Sequence, residues 1–100
     1  MPEPYAHAIT LRGPDVAGRW RVDHAFLPAT GRIAPANGQR RSGRWLSATT
    51  SHPTRDKATK AAQSLWRSLR RTAPPATPIK CIGFEPMAVT YERPNRRTGL

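Results

Sequence analysis

Gly18-Arg-Trp-Arg-Val-Asp-His-Ala-Phe-Leu27 alternates: Trp20, Val22, His24 and Phe26 fall on one side, Arg19, Arg21 and Asp23 on the other. A period of two is that of a strand with one face in a core and one in water. This stretch therefore predicts a sheet whose second face carries arginines. The segment before it, Tyr5 to Arg12, has the same period, with Tyr5, His7, Ile9 and Leu11 set against Ala6, Ala8, Thr10 and Arg12, and it stops at Gly13-Pro14-Asp15. Two neighbouring strands are expected.

Beyond Leu27 the pattern breaks. Pro28 closes the strand, and residues 28–43 hold three Gly, two Pro and an Asn37-Gly38 turn signal. A connection this long is either functional or disordered, and this one is basic, with Arg32, Arg40 and Arg41. Arg44-Trp-Leu-Ser-Ala-Thr-Thr50 then reads as a third strand from its β-branched and aromatic content. Its Trp45 and Leu46 point to opposite faces, so one of them lies outside the main core.

Pro53-Thr54 opens a different period. Ala58, Ala61, Ala62, Leu65, Trp66 and Leu69 form one apolar stripe at helical spacing. The Thr54 hydroxyl is placed to cap the first turn, Asp56 suits the positive end of the helix dipole, and Arg67, Arg70 and Arg71 suit the negative end. Pro74-Pro75 ends a helix of about 18 residues, about 27 Å long. Pro78 to Phe84 and Met87 to Tyr91 read as short strands that extend or flank the sheet, and Arg93 to Leu100 as a mobile basic tail. The expected architecture is α+β: a small antiparallel sheet of three to five strands packed against one amphipathic helix. It forms a single domain over residues 1–92, with a long basic loop at 28–43 and a flexible tail at 93–100.

The charge carries the functional reading. There are 17 Lys plus Arg against 6 Asp plus Glu in 100 residues, a formal net charge of +11. Such an excess is a statement about partners, and it points to a polyanion, nucleic acid first. The 14 Arg against 3 Lys carry less weight, because GC-rich coding also favours Arg, Ala and the 11 Pro. A chain with 37% hydrophobic residues builds one modest core. The single Cys81 fits a reducing compartment, and neither a signal peptide nor about 20 consecutive apolar residues is present, so a cytoplasmic protein without a membrane span is expected.

Three basic groups are candidates for phosphate contact. Lys57, Lys60, Arg67 and Arg71 lie opposite the apolar stripe of the helix, where a solvated face is also needed for its own sake. Arg12, Arg19, Arg21, Arg32, Arg40, Arg41 and Arg44 belong to the sheet and its long loop. One acid, Asp23, among those seven cations favours a binding face over a merely protective one. Arg93, Arg96 and Arg97 form an arm of the kind that adds non-specific affinity or reaches a minor groove. The residues expected to touch nucleic acid are Arg19, Arg21, Arg32, Arg40, Arg41, Arg44, Lys57, Lys60, Arg67 and Arg71. Arg19, Arg21 and Arg44 would face a groove, and the others would hold phosphates.

Three strands followed by one helix, with Gly18-Arg-Trp-Arg-Val22, Gly43-Arg-Trp45 and Thr54-Arg-Asp-Lys-Ala58 leading into Ala61-Ala62, resemble the AP2-like and integrase arm-binding domains over residues 10–72. The resemblance implies a sheet that docks on DNA with a helix behind it, in an accessory or regulatory protein of a phage or mobile element. The loop between the second and third strands is longer than that pattern has. DNA is the first partner expected and RNA the second, with exposed Trp45 or Tyr91 available for stacking on bases. The alternative is a protein-binding inhibitor or adaptor that docks on an acidic partner or a nucleoprotein complex, with Trp45 or Leu46 as its anchor. A basic subunit of a larger assembly, ordered on assembly, is a third reading. No enzyme, cofactor or metal site is expected: His7, His24 and His52 are scattered, and neither paired carboxylates nor a phosphate-binding glycine motif is present.

Overall fold

The alternation and the helical stripe become five strands and one helix in the computed structural model, which describes Pro4, residues 6–28 and residues 34–87. Strands β1 (Ala6–Arg12) and β2 (Trp20–Leu27) pair antiparallel, with His7 opposite Phe26, Ile9 opposite His24 and Leu11 opposite Val22. Strand β3 (Arg40–Ser42) forms a hairpin with β4 (Trp45–His52), and β4 pairs antiparallel with β2, placing Leu46 opposite Phe26 and Thr50 opposite Val22. Helix α1 (Arg55–Thr72) follows, and then β5 (Ile79–Ile82). The order across the sheet is β3-β4-β2-β1-β5.

The α+β expectation holds, and the sheet is mixed. β5 runs parallel to β1, with His7 beside Ile79 and Ile9 beside Cys81. A parallel pair needs a long crossover, and α1 supplies it, carrying the chain from β4 over one face of the sheet to the far edge. The loop expected over 28–43 contains a strand: Arg40 and Arg41 lie in β3, because a two-residue turn at Gly43-Arg44, with Gly43 at φ +62, folds the chain back onto β4. The expected strand at Met87–Tyr91 begins in a turn at Met87, and its remainder lies outside the described residues, as do Arg32 and the 93–100 tail.

One core holds the layers together. Ile9, Leu11 and Val22 meet Ala58 and Ala62 of α1, with Trp20, Leu65, Trp66, Leu69, Ile79 and Phe84 around them. Ile9 and Leu46 are fully buried, each worth about 1.5–3 kcal/mol in apolar transfer. The small side chains of Ala58 and Ala62 let the helix approach the sheet closely. Thr54 caps α1, its Oγ1 accepting from the Lys57 amide at 3.1 Å. At the other end the Arg70 guanidinium donates to the carbonyls of Pro75 (3.1 Å) and Thr77, which ties the helix to the link that starts β5. No helix among the described residues is long and apolar enough to cross a membrane.

Candidate nucleic-acid interface

Because α1 lies on the side of Ile9, Leu11 and Val22, the residues of opposite parity form a sheet face that, among the described residues, no helix covers. The registers arrange this face in rows. Arg12, Arg21 and Ser51 stand side by side at one end. The next row is Ile82, Thr10, Asp23 and Thr49; then Lys80, Ala8, Ala25, Ser47 and Arg40; beyond it Ala6 stands opposite Leu27 and Trp45 opposite Ser42. Cations therefore occupy one end and both lateral edges, while the floor between them is mostly Ala, Ser and Thr, with Asp23 and Leu27 set in it. Trp45 is half-buried on this face, and Leu46 is buried on the other, which resolves their opposed directions.

The arginines are held in place. Arg12 Nε donates to Asp23 Oδ2 at 2.7 Å, and Thr49 Oγ1 donates to the other oxygen of Asp23. Burial pushes the Asp23 carboxyl up, but the bonds from Arg12 and Thr49 and the nearby charges of Arg12 and Arg40 outweigh it, so the group stays below the ordinary carboxylate range. The bond to Asp23, and then its charge, raise the pKa of Arg12 in turn. Asp15, in the loop between β1 and β2, accepts from the amides of Ala17 and Arg19 at 2.9 Å and from Arg21 Nε at 3.3 Å. The Arg19 amide is the main cause of its lowered pKa. Arg19 Nε donates to Ser51 Oγ at 2.7 Å and its terminal nitrogen to the Ser51 carbonyl at 3.3 Å; Arg40 donates to Thr49 Oγ1 at 3.3 Å. Hydroxyls and carbonyls hold Arg19 and Arg40 without neutralising them.

The ten residues expected from the sequence divide by location. Arg19, Arg21 and Arg40 share the open face. Arg41 alternates with Arg40, so it lies on the helix side of the sheet, where its Nη1 donates to the Gly43 carbonyl at 3.4 Å, and Arg44 sits in the hairpin turn. Lys57, Lys60, Arg67 and Arg71 are exposed on the outer side of α1, facing away from the open sheet face, and Lys60 lies 3.4 Å from Asp56. Arg32 lies outside the described residues. The structure thus separates two basic surfaces that the sequence alone could not. Three further residues belong to the open face or its rim: Arg12, Lys80 and the carboxylate Asp15. Arg12 was legible as the outward member of β1, but its partnership with Arg21 needed the register.

Elsewhere, an open groove between α1 and β5 is lined by Arg55, Thr59, Gln63, Cys81, Phe84 and Glu85. Burial pushes the Cys81 thiol up, which keeps it protonated. Among the described residues there is no group of three or more His, Cys, Asp or Glu side chains that could hold a metal ion. Compared with known proteins, the chain matches no family model, no curated protein and no solved structure.

Proposed function

We propose that this chain binds nucleic acid and that the open sheet face is its docking surface. The observation that carries the reading is the charge of that face: Arg12, Arg19, Arg21, Arg40 and Lys80 against Asp15 and Asp23, on a surface whose floor is mostly small side chains. Guanidinium forks suit phosphate oxygens, and arginines already fixed by neighbours lose little freedom on binding. The meander of the three long strands, with the helix behind it, has the order that the AP2-like resemblance implies. That order supports a role as a DNA-binding accessory or regulatory protein, of the kind a phage or mobile element carries.

Binding measured across a salt series tests this. Each neutralised phosphate contributes about 0.9 to the log–log slope on duplex DNA and about 0.7 on a single strand. Arg19→Ala combined with Arg40→Ala lowers that slope by roughly 1.4–1.8, whereas Lys57→Ala combined with Arg67→Ala leaves it unchanged. A slope that responds to the helix pair and ignores the sheet pair would move the interface to the other side of the molecule.

Trp45 favours a second reading, an adaptor for an acidic protein, because a half-buried aromatic beside arginines is also how protein interfaces are anchored. In that case the charge-driven affinity for nucleic acid is weak, equal for all polyanions and gone at physiological salt.

A further inference from the structure

We infer that the nucleic acid lying on this face is single-stranded RNA. The inference rests on the nucleic-acid reading above, and it puts single-stranded RNA in place of the DNA that the strand order alone supports.

Width comes first. The row Lys80, Ala8, Ala25, Ser47 and Arg40 crosses all five strands, four gaps of about 4.8 Å, so the face is about 19 Å across there and narrows to three strands at the Arg12–Arg21–Ser51 end, whereas the major groove of duplex DNA is about 12 Å wide and admits a helix or a two-stranded ribbon. β3 and β5 are what make the sheet too broad, and they carry the edge cations Arg40 and Lys80 in one register row, separated by Ala8, Ala25 and Ser47. A row of that width does not enter a groove of about 12 Å. A single strand laid across the floor reaches both edges and the Arg12–Arg19–Arg21 end as well.

The floor supplies the second argument. Single-stranded ligands offer the flat faces of unstacked bases, and they are held by aromatic side chains bordered by cations. Among the described residues Trp45 is the aromatic of this face, and Ile82, 43% exposed, adds an apolar station near the opposite edge. The hydroxyl content is the third argument. Thr10, Ser42 and Ser47 stand on this face beside Thr49 and Ser51, whose hydroxyls are already bonded to Asp23, Arg40 and Arg19. A hydroxyl both donates and accepts, which matches the 2′-hydroxyl that distinguishes RNA from DNA.

The test uses the full chain and labelled random 12-mers as single-stranded RNA, single-stranded DNA and duplex DNA, titrated by anisotropy near physiological salt. The expected result is tightest binding to single-stranded RNA, at least tenfold over duplex DNA and several-fold over single-stranded DNA. Trp45→Ala should lose about tenfold on RNA, the scale of one base–aromatic stack, and Trp45→Phe should retain most of the affinity. Equal or tighter binding to duplex DNA overturns this inference and leaves the nucleic-acid reading standing. Single-stranded DNA bound as well as RNA overturns the assignment to RNA. Failure to bind any of the three overturns both readings together. The preference of the unaltered protein decides the matter even if the Trp45 variants do not fold.

Discussion

His7 Nδ1 and His24 Nε2 stand 3.0 Å apart, with the two imidazoles stacked at 5.2 Å between centroids and 22° between planes. One nitrogen must donate and the other accept, so the contact requires a neutral ring as acceptor. Burial, and then the charge of His7, push the pKa of His24 down to about 4. In the unfolded chain the ring titrates near 6.5. Its folded pKa is depressed, so the unfolded state takes up a proton that the folded state refuses, and stability falls as pH drops from about 6.5 to about 4. Urea midpoints at pH 7.5, 5.5 and 4.5 measure this. A decline is expected for the natural chain and a shallower one for His24→Gln. Equal midpoints at all three pH values would show that His24 protonates as readily folded as unfolded.

Gly83 makes a second point of control. It sits at φ +87 immediately after β5, and a Cβ there would run into the Leu11 carbonyl. Gly83→Ala therefore combines left-handed strain of about 1–2 kcal/mol with a clash against β1 backbone, and a loss of more than about 2 kcal/mol is expected. Gly18→Ala is the comparison: its φ of +78 is similar, but nothing lies within 4 Å of its Cβ position. It should cost only the strain, about 1–2 kcal/mol. Equal losses in chemical denaturation would mean that β1 and β5 separate easily at this edge.

What could be read from the sequence follows the reach of each signal. β1 and β2 were legible together with their inward and outward faces, because a period of two is a local property. The same holds for α1, whose stripe, cap and proline stop all lie within about 20 residues of one another. β3 was not legible: Arg40-Arg-Ser42 has neither an apolar side chain nor alternation, and it is a strand only because Gly43 and Arg44 return the chain to β4. β5 was legible as a strand, but its parallel pairing with β1 depends on where the helix sets it down. The site divides in the same way. Arg19 and Arg21 were placed on the outward face by period alone, whereas their grouping with Arg12, Arg40 and Lys80, and the separation of Arg41 and the helix cations, came from the register.

Ala58 and Ala62 are both fully buried where α1 meets Ile9, Leu11 and Val22. Their size sets the distance between helix and sheet, so a larger side chain has to push the layers apart. Ala58→Leu should cost about 1–3 kcal/mol despite adding apolar surface. Thr54→Ala, which removes only the cap, should cost about 1 kcal/mol. Thermal melts of the two variants compare these effects, and a neutral Ala58→Leu would mean that the layers are not closely packed there.

Asp23 offers a prediction of opposite sign. Among the described residues it is one of two carboxylates associated with the open face, and it lies in the middle of a row whose neighbours are Thr10 and Thr49. Any phosphate that approaches Arg12 must also approach the charge of Asp23, 2.7 Å from the guanidinium. Asp23→Asn keeps the shape and an acceptor for Thr49 while removing that charge, so affinity for nucleic acid should rise several-fold, with a steeper salt dependence. Folding stability should fall by no more than about 1.5–3 kcal/mol, the scale of one charge-assisted hydrogen bond. If the face were not the interface, the substitution would leave affinity unchanged or raise it only by the small amount that one unit of net charge gives anywhere on the surface. Asp56→Asn on α1 provides that comparison, because Asp56 is exposed and lies on the outer side of the molecule. A larger gain from Asp23→Asn than from Asp56→Asn is the result that locates binding on the sheet.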